Sequence, residues 1–437
     1  MGRSSLDPRE RAILVGVVLP RMRREEADDH LDELARLTET AGGVVVDRLV
    51  QERDRIDAAY FVGRGKAEEV AAHAKGHAAD LVIFDEDLSP AQVRNLEKTI
   101  EAKVVDRSGL ILDIFARRAR SREARTQVEL AQLNYLLPRL TRRWTHLSRQ
   151  VGGIGVRGIG ETQIEIDRRM IRKRISRLQG DLDGIERARG VRRTGRRGIP
   201  KGALVGYTNS GKSTLLNSLT RADAFVEDRL FATLDPLVRR LEMKDGREVL
   251  LIDTVGFIRK LPHHLVASFR STLEEAREAD FLLHVVDVSH PGYEEQMAVT
   301  QQVLAGLEMD VKPTLLVFNK IDLVRQPGIL ERAFRIHPDA LFVAAAKGLG
   351  LDVLGGRMND LLAEDLVERR IRLMTADTAA ISRVYEESRV LDASYHDGYV
   401  DLTIRTSRAR ARALARLAPA IEPGDIIPGD IIEEAGT

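Results

Sequence analysis

The stretch "GYTNSGKST" at 206–214 has the spacing G-x-x-x-x-G-K-S, in which backbone amides wrap a chain of phosphates. It follows the apolar run "ALVGY" and opens the helix-like run "STLLNSLTR", the strand–loop–helix setting that the motif needs. Gly206, Tyr207, Thr208, Asn209, Ser210 and Gly211 are expected to form the loop. Amides around Asn209–Lys212 and the helix N-terminus should donate to phosphate. Lys212 should reach the β- and γ-phosphates as a catalytic cation, and the Ser213 hydroxyl should ligate Mg²⁺, with Thr214 beside it.

Three further segments fall in the order that such a loop demands. Thr233, in "RLFATLDP" and 20 residues after Ser213, is the candidate switch threonine. It would close on Mg²⁺ and the γ-phosphate and let go after hydrolysis. Phe231, Ala232, Leu234 and Asp235 flank it and are counted with the nucleotide site. Asp253 ends the run "EVLLID", so its carboxylate can reach Mg²⁺ through water. Thr254 and Val255 then lead to Gly256, whose amide can meet a γ-phosphate. The expected metal set is Ser213, Thr233 and Asp253, and the expected catalytic set is Lys212, Thr233 and Gly256.

"NKID" at 319–322 supplies base selection. A carboxylate at Asp322 accepts from both N1–H and the N2 amine of guanine. Adenine offers no such pair, so a buried, unpaired carboxylate rejects it. Asn319 and Lys320 would brace this loop around Ile321, and Ala345, Ala346 and Lys347 follow the last strand, where a backbone amide can bind guanine O6. All these positions sit at the carboxyl ends of strands, where open α/β sheets bind ligands. The expected ligands are GTP or GDP with Mg²⁺.

Phe257 breaks the pattern. Many related hydrolases carry a glutamine there to orient the attacking water, which a phenyl ring cannot do by hydrogen bonding. Either the chain does not hydrolyse nucleotide or the missing group comes from elsewhere. His263 and His264 in "KLPHHLVASF" read better as a polar helix start than as general bases, and "GRGK" at 63–66 reads as strand–turn–helix.

The elements that must position this chemistry are legible as α/β alternation. Residues 199–367 give strands at "ALVGY", "VRRLEM", "EVLLID", "FLLHVVDV", "TLLVFNK" and "ALFVAAA", which implies a P-loop nucleotide-binding domain. Residues 1–115 alternate in the same way, with "ILVGVVL", "GVVVDRLV", "DLVIFDE" and "KVVD" as strands, and imply an amino-terminal α/β domain on a parallel or mixed sheet. "SPAQVRNLEKTI" opens with a Ser N-cap and Pro at the first helical position. Residues 116–198 imply a basic helical hairpin. One helix, over 121–140, carries Leu130, Leu133, Leu137 and Leu140 and should kink or end at Pro138; the other starts near Glu161 and carries Ile164, Ile171, Ile175, Leu178, Leu182 and Ile185. "GGIGVRGIGET" at 152–162 lies at the tip, flanked by Arg149 and Arg157. Residues 370–437 imply a small α+β domain, with a hairpin from "RVLDASY" and "YVDLTIR" and a helix at "RARARALARLA".

The chain has 437 residues, about three domains' worth, and 43% hydrophobic residues, ample for ordinary cores. It has no cysteine, which excludes disulfides and thiolate chemistry and suits a cytoplasmic setting. No apolar run approaches the roughly 20 residues that span a bilayer, and the first residues read as a polar lead-in to a strand. The net charge of +1 conceals an asymmetry: residues 116–201 hold 23 Lys and Arg against 8 Asp and Glu. That excess of +15, nearly all arginine, points to a polyanion, with nucleic acid the expected partner.

Together, "GYTNSGKSTLLNSLT", "LFATLDP", "LIDTVGFIRKLPHHLVASFRSTLEEAREADFLLHVVDVS" and "NKID" resemble the HflX family of ribosome-associated GTPases. "VGRGKAEEV", "LSPAQVRNLE", "LILDIFARRARS", "QVELAQLNYLLPRLTRRW" and "GGIGVRGIGETQIEIDRR" resemble that family's amino-terminal half, so the likeness runs from about 13 to 365. The resemblance implies a bacterial factor that binds the 50S subunit and its 23S rRNA in the GTP state; a monomer with no integral membrane contact is expected. Some members split stalled or idle ribosomes, with the hairpin reaching towards the peptidyl-transferase centre. The family carries an apolar residue at the Phe257 position, which implies slow intrinsic hydrolysis completed by the ribosome. Asn209 stands where related GTPases hold a K⁺ ion. Two positions depart from the family: Ala345 replaces a loop-bracing serine, and Leu237 stands where threonine is common. The competing reading is an RNA-binding assembly module in which GTP is mainly a conformational ligand.

Overall fold

A computed structural model describes residues 10–20, 22–140, 163–193, 199–221, 230–244, 246–260, 276–364, 366–407, 411 and 414–415. The glycine stretch 152–162, Arg149, Arg157, His263, His264 and most of the "RARARALARLA" run lie outside the described residues.

The amino-terminal sheet is built from β1 (Arg11–Val18), β2 (Val44–Glu52), β3 (Leu81–Phe84) and β4 (Lys103–Asp106), all parallel, in the order β2-β1-β3-β4. The central β1, "RAILVGVV", is buried at all but its first residue because helices cover both faces. Helices α1 (Arg24–Thr40) and α4 (Arg107–Arg118) pack on one face, α2 (Arg64–Gly76) and α3 (Pro90–Ile100) on the other. The Ser89 cap forms as expected: its Oγ accepts from the Gln92 amide at 3.2 Å while Gln92 Oε1 accepts from the Ser89 amide at 2.8 Å. Helix α4 was not expected from the sequence. Asp106 caps it by accepting from the Gly109 amide at 2.8 Å, and the same buried carboxylate accepts from Tyr135 at 2.7 Å and Arg139 at 2.9 Å.

Those last two bonds anchor the hairpin. Helix α5 (Arg122–Leu136) ends in a 3-10 turn containing Pro138, and α6 (Gln163–Arg193) runs back along it. Arg174 pairs with Glu129 at 2.7 and 2.9 Å and Arg168 donates to the Leu140 carbonyl at 3.3 Å, an antiparallel register. Leu178 is the buried point of the expected apolar seam, and Ile164, Ile171, Ile175, Leu182 and Ile185 are half-buried.

The next sheet has the order β10-β9-β8-β5-β7-β6. Its strands are β5 (Lys201–Val205), β6 (Leu237–Glu242), β7 (Glu248–Asp253), β8 (Phe281–Asp287), β9 (Thr314–Asn319) and β10 (Leu341–Phe342), with β6 antiparallel to β7 and the others parallel. Helix α7 (Lys212–Thr220) follows β5, α8 (Tyr293–Gly306) follows β8, and α9 (Ile329–Ile336) and α10 (Leu351–Glu364) flank β10. The run "ALFVAAA" makes only a two-residue strand, because Ala345–Lys347 turns into a 3-10 helix that shapes the base loop. Beyond it, β11 (Leu366–Met374), α11 (Thr378–Glu387), β12 (Arg389–Tyr395) and β13 (Tyr399–Ser407) form an antiparallel sheet β11-β13-β12 around Ile371, Val384, Val400 and Leu402. The expected hairpin is β12–β13; β11 and α11 were not foreseen.

Candidate nucleotide site and its switch segments

Strand β5 delivers residues 206–211 to the carboxyl edge of the sheet, and α7 starts directly under them. Gly211 has φ 91°, and a Cβ there would lie 2.2 Å from Asn319 Nδ2. That close approach lets Asn319 stitch two loops together. Its Nδ2 donates to the Ser210 carbonyl at 3.0 Å and its Oδ1 accepts from the Ala345 amide at 3.0 Å. Lys320 donates to the Asn209 carbonyl at 2.8 Å and pairs with Asp287 at 2.7 Å. The loop expected to hold guanine is thus tied to the loop expected to hold phosphate.

Thr208, Asn209, Gly211, Lys212, Ser213, Thr214, Phe231, Ala232, Thr233, Thr254 and Gly256 line one cleft. Inside it Ser213 Oγ lies 2.8 Å from Thr233 Oγ1 and donates to Asp253 Oδ2 at 2.5 Å. The three residues expected to hold Mg²⁺ therefore meet. Asp253 is fully buried and its Oδ1 has no hydrogen-bond partner. Burial pushes its carboxyl above the usual range, against the pull of the Lys212 charge. A buried anion with an orphaned oxygen between two hydroxyls fits a divalent cation. Lys212 is also buried, and its ammonium donates to the Gly206 and Tyr207 carbonyls at 3.2 and 2.8 Å. Burial, aided by Lys320, lowers its pKa to about 8.

The expected base loop narrows to fewer amides. The Ala345 amide is taken by Asn319, which leaves the amides of its neighbours Ala346 and Lys347 as the candidates expected to meet guanine O6. Asp322, in the 3-10 turn Ile321–Leu323, has its Oδ2 3.1 Å from Lys347 Nζ. Ala345, where the family has a serine, is braced through its backbone: Ser218 in α7 donates to its carbonyl at 2.7 Å. Leu237 opens β6 opposite Asp253 and packs against the sheet core.

Several residues assigned to the nucleotide turn their side chains elsewhere. Asp235 accepts from the Arg120 and Ser121 amides at 3.1 Å each, and from the Ser121 hydroxyl, at the start of hairpin helix α5. Phe231 packs edge-on to Phe115 of α4 at 4.7 Å between centroids. Leu234 and Val255 join the same cluster, so the two switch segments share a core with the amino-terminal domain. Thr254 Oγ1 donates to the Leu204 carbonyl at 2.7 Å, a purely internal bond. Thr208 Oγ1 accepts from the Phe231 amide at 2.9 Å and links the phosphate loop to the first switch.

Phe257 does not overhang the cleft. Its ring is buried among Ala203, Val205, Ala276, Leu282 and Leu304. Its amide donates to the Gly206 carbonyl at 3.0 Å and its carbonyl accepts from the Thr208 amide at 2.6 Å, so it pins the second switch to the phosphate loop. Gly256 sits against that loop, where a Cβ would come 2.6 Å from Thr208 Cα.

A buried ionic network, missed at the sequence level, lies behind the second switch. Tyr207 donates to Glu33 of α1 and accepts from the Arg259 amide at 2.8 Å. Arg107 of α4 bridges Glu33 and, at 2.7 Å, Asp85. Lys260 pairs with Asp85 at 2.5 Å and Glu86 at 2.7 Å, and Arg259 with Glu295 at 3.0 Å. His30 stands within 4 Å of both Asp85 and Glu295. Burial holds its pKa down at about 4. No spacing rule exposes these partners, because each pair joins separate elements.

A nucleotide loop at a strand's carboxyl end, a base loop bolted to it and two switch segments define a P-loop GTPase. Family models match almost end to end: a GTP-binding GTPase N-terminal region at 28–116, its middle region at 118–196, a 50S ribosome-binding GTPase at 201–320 and an HflX C-terminal domain at 328–422. The chain belongs to the HflX family of GTPases. It is 44% identical over 417 residues to the GTPase HflX of Magnetococcus marinus, covering 94% of this chain and 95% of that one. It is 42% identical over 420 residues to the GTPase HflX of Escherichia coli K12, covering 95% and 98%. With that of Caldanaerobacter subterraneus it shares 49% over 348 residues, 79% of each. Among the described residues no helix is long and apolar enough to cross a membrane.

Proposed function

We propose that the chain binds the 50S subunit in its GTP state, splits stalled or idle 70S ribosomes, and leaves after a hydrolysis step that the ribosome stimulates. The observation that carries this reading is Phe257, buried in the core instead of facing the cleft. Phe257 then offers no side chain to orient water, and in this reading an external surface completes the site. Completion of this kind is worth about 10³–10⁵ in rate. The "50S ribosome-binding GTPase" match supports the choice of surface, and the +15 block on 116–201 supports contact with 23S rRNA.

In this reading Gly206–Thr214, Phe231–Asp235, Asp253–Gly256, Asn319–Asp322 and Ala345–Lys347 form the GTP site. Asp235 contributes through its backbone, since its carboxylate is engaged at Ser121. Ser213, Thr233 and Asp253 would hold Mg²⁺, which supplies charge neutralisation to the phosphates. Lys212 trades its two carbonyl partners for phosphate oxygens, and the Gly256 amide and Thr233 complete the catalytic set. Asn209 would help to hold a K⁺ ion, which would supply positive charge; comparing rates in KCl and NaCl tests it, and equal rates remove it. The protein acts as a cytoplasmic monomer with four parts, an α/β domain at 1–115, a hairpin at 116–198, the GTPase domain at 199–367 and a small domain at 370–437.

Cosedimentation with 30S, 50S and 70S particles tests the proposal. Retention on 50S with a non-hydrolysable GTP analogue and release with GDP is expected. Equal retention with both nucleotides contradicts a γ-phosphate-gated factor and favours a plain RNA-binding assembly module.

A further inference from the structure

Strand β2 carries a bulge whose consequence is chemical. β1 pairs Ala12 with Val45 but Ile13 with Asp47, so Val46 is an extra residue. An extra residue inverts the facing of everything after it. Val46 and Leu49 both pack in the layer under α2 and α3, and Asp47 lies beside them against α2. Arg48 faces the other layer, where it pairs with Asp32 of α1. Without the bulge, strand alternation would place Asp47 on that other face.

Helix α2 brings two imidazoles to the same spot. His73 is in its last turn and His77 is its C-cap, one turn on. Asp47 Oδ2 lies 2.6 Å from His73 Nδ1 and 3.4 Å from His77 Nε2, and one ligand atom from each residue falls within 4.8 Å of the others. Asp47 Oδ1 accepts the Arg48 amide at 2.8 Å, which orients the carboxylate with Oδ2 towards the imidazoles. Arg11 Nε donates to the His77 carbonyl at 3.0 Å and fixes its backbone.

We propose that Asp47, His73 and His77 form a binding site for a borderline divalent transition-metal ion of the Zn²⁺ type. Tetrahedral bonds of about 2.0–2.2 Å set ligand atoms roughly 3.3 Å apart. The His77–Asp47 pair already has that separation, and the His73–Asp47 hydrogen bond reaches it by opening less than about 1 Å once its proton leaves. Two imidazoles with one carboxylate select Zn²⁺, Ni²⁺ or Co²⁺ over Mg²⁺. The carbonyl end of α2 adds favourable potential for a cation. Side chains exposed by 25% at Asp47, 39% at His73 and 44% at His77 leave solvent access and a coordination position for water. Bound there, the ion would clamp the sheet-edge strand β2 to α2.

Titration of the full chain, loaded with Mg²⁺ and GDP to fill the nucleotide site, with ZnCl₂ by equilibrium dialysis tests this. CoCl₂ in parallel reports coordination by its visible absorption. One saturable equivalent is expected in the wild type. Affinity should fall at least about tenfold in His73→Ala and in His77→Ala, with the Co²⁺ band lost in both, while GDP binding, which verifies folding, is retained. Absence of a saturable equivalent, or undiminished binding by the His73→Ala/His77→Ala double variant, overturns the proposal.

Discussion

The phenolic oxygen of Tyr207 accepts the Arg259 amide at 2.8 Å and gives its own proton to Glu33. One hydroxyl thereby joins the phosphate loop, the second switch and the amino-terminal domain. Tyr207→Phe leaves a buried amide and a buried carboxylate each one partner short. Unfolding in urea should show a loss of roughly 1–3 kcal/mol. A midpoint equal to the wild type's would mean that these bonds exchange freely with water.

Phe257 invites an obvious substitution, and the structure predicts that it fails. Phe257→Gln buries an amide among Ala203, Val205, Leu282 and Leu304 instead of offering it to water in the cleft. The variant should lose about 3 kcal/mol or more of stability, with no faster intrinsic GTP hydrolysis. A folded variant with accelerated intrinsic turnover would show that the side chain reaches the γ-phosphate.

Asp235 grips the Arg120 and Ser121 amides from the first switch, so the hairpin's first helix starts on the switch itself. Asp235→Ala should let that end fray. Amide hydrogen exchange in the first turn of α5, at Ala124 and Arg125, should quicken roughly tenfold, equivalent to about 1.4 kcal/mol. Unchanged protection would sever the link between switch and hairpin.

Lys212 has a pKa lowered to about 8 by burial. Below that pH the ammonium is already charged, so GDP affinity should be insensitive to its titration. Above it, binding must restore the proton, and affinity falls as pH rises, by up to tenfold per unit. Calorimetry at pH 8.5 in buffers of different ionisation enthalpy should register proton uptake that is absent at pH 7. Identical proton balance at both values contradicts the buried, half-neutral lysine.

The parts of this site that follow from spacing along one segment were legible in the sequence. "GYTNSGKST", "EVLLID" and "NKID" announced the loop, the strand end and the base loop, and the structure brings Ser213, Thr233 and Asp253 within hydrogen-bond reach of one another. Whatever depends on two distant segments was not. Helix α4 hid in "RSGLILDIFARR" because its cap, Asp106, also reads as the end of a strand. The Asp235 carboxylate's bond to Ser121 is invisible in the sequence because the two residues lie 114 positions apart. Val46 looks like any strand valine until its partner register is known.

The most direct test of the central claim is the rate of GTP hydrolysis with and without purified 50S subunits. With the Phe257 ring buried and unable to orient water, the proposed site should turn over slowly alone and speed up about 10³-fold or more at saturating subunits. A rate that stays at its intrinsic level while the protein is demonstrably bound to 50S would contradict completion of the site by the ribosome.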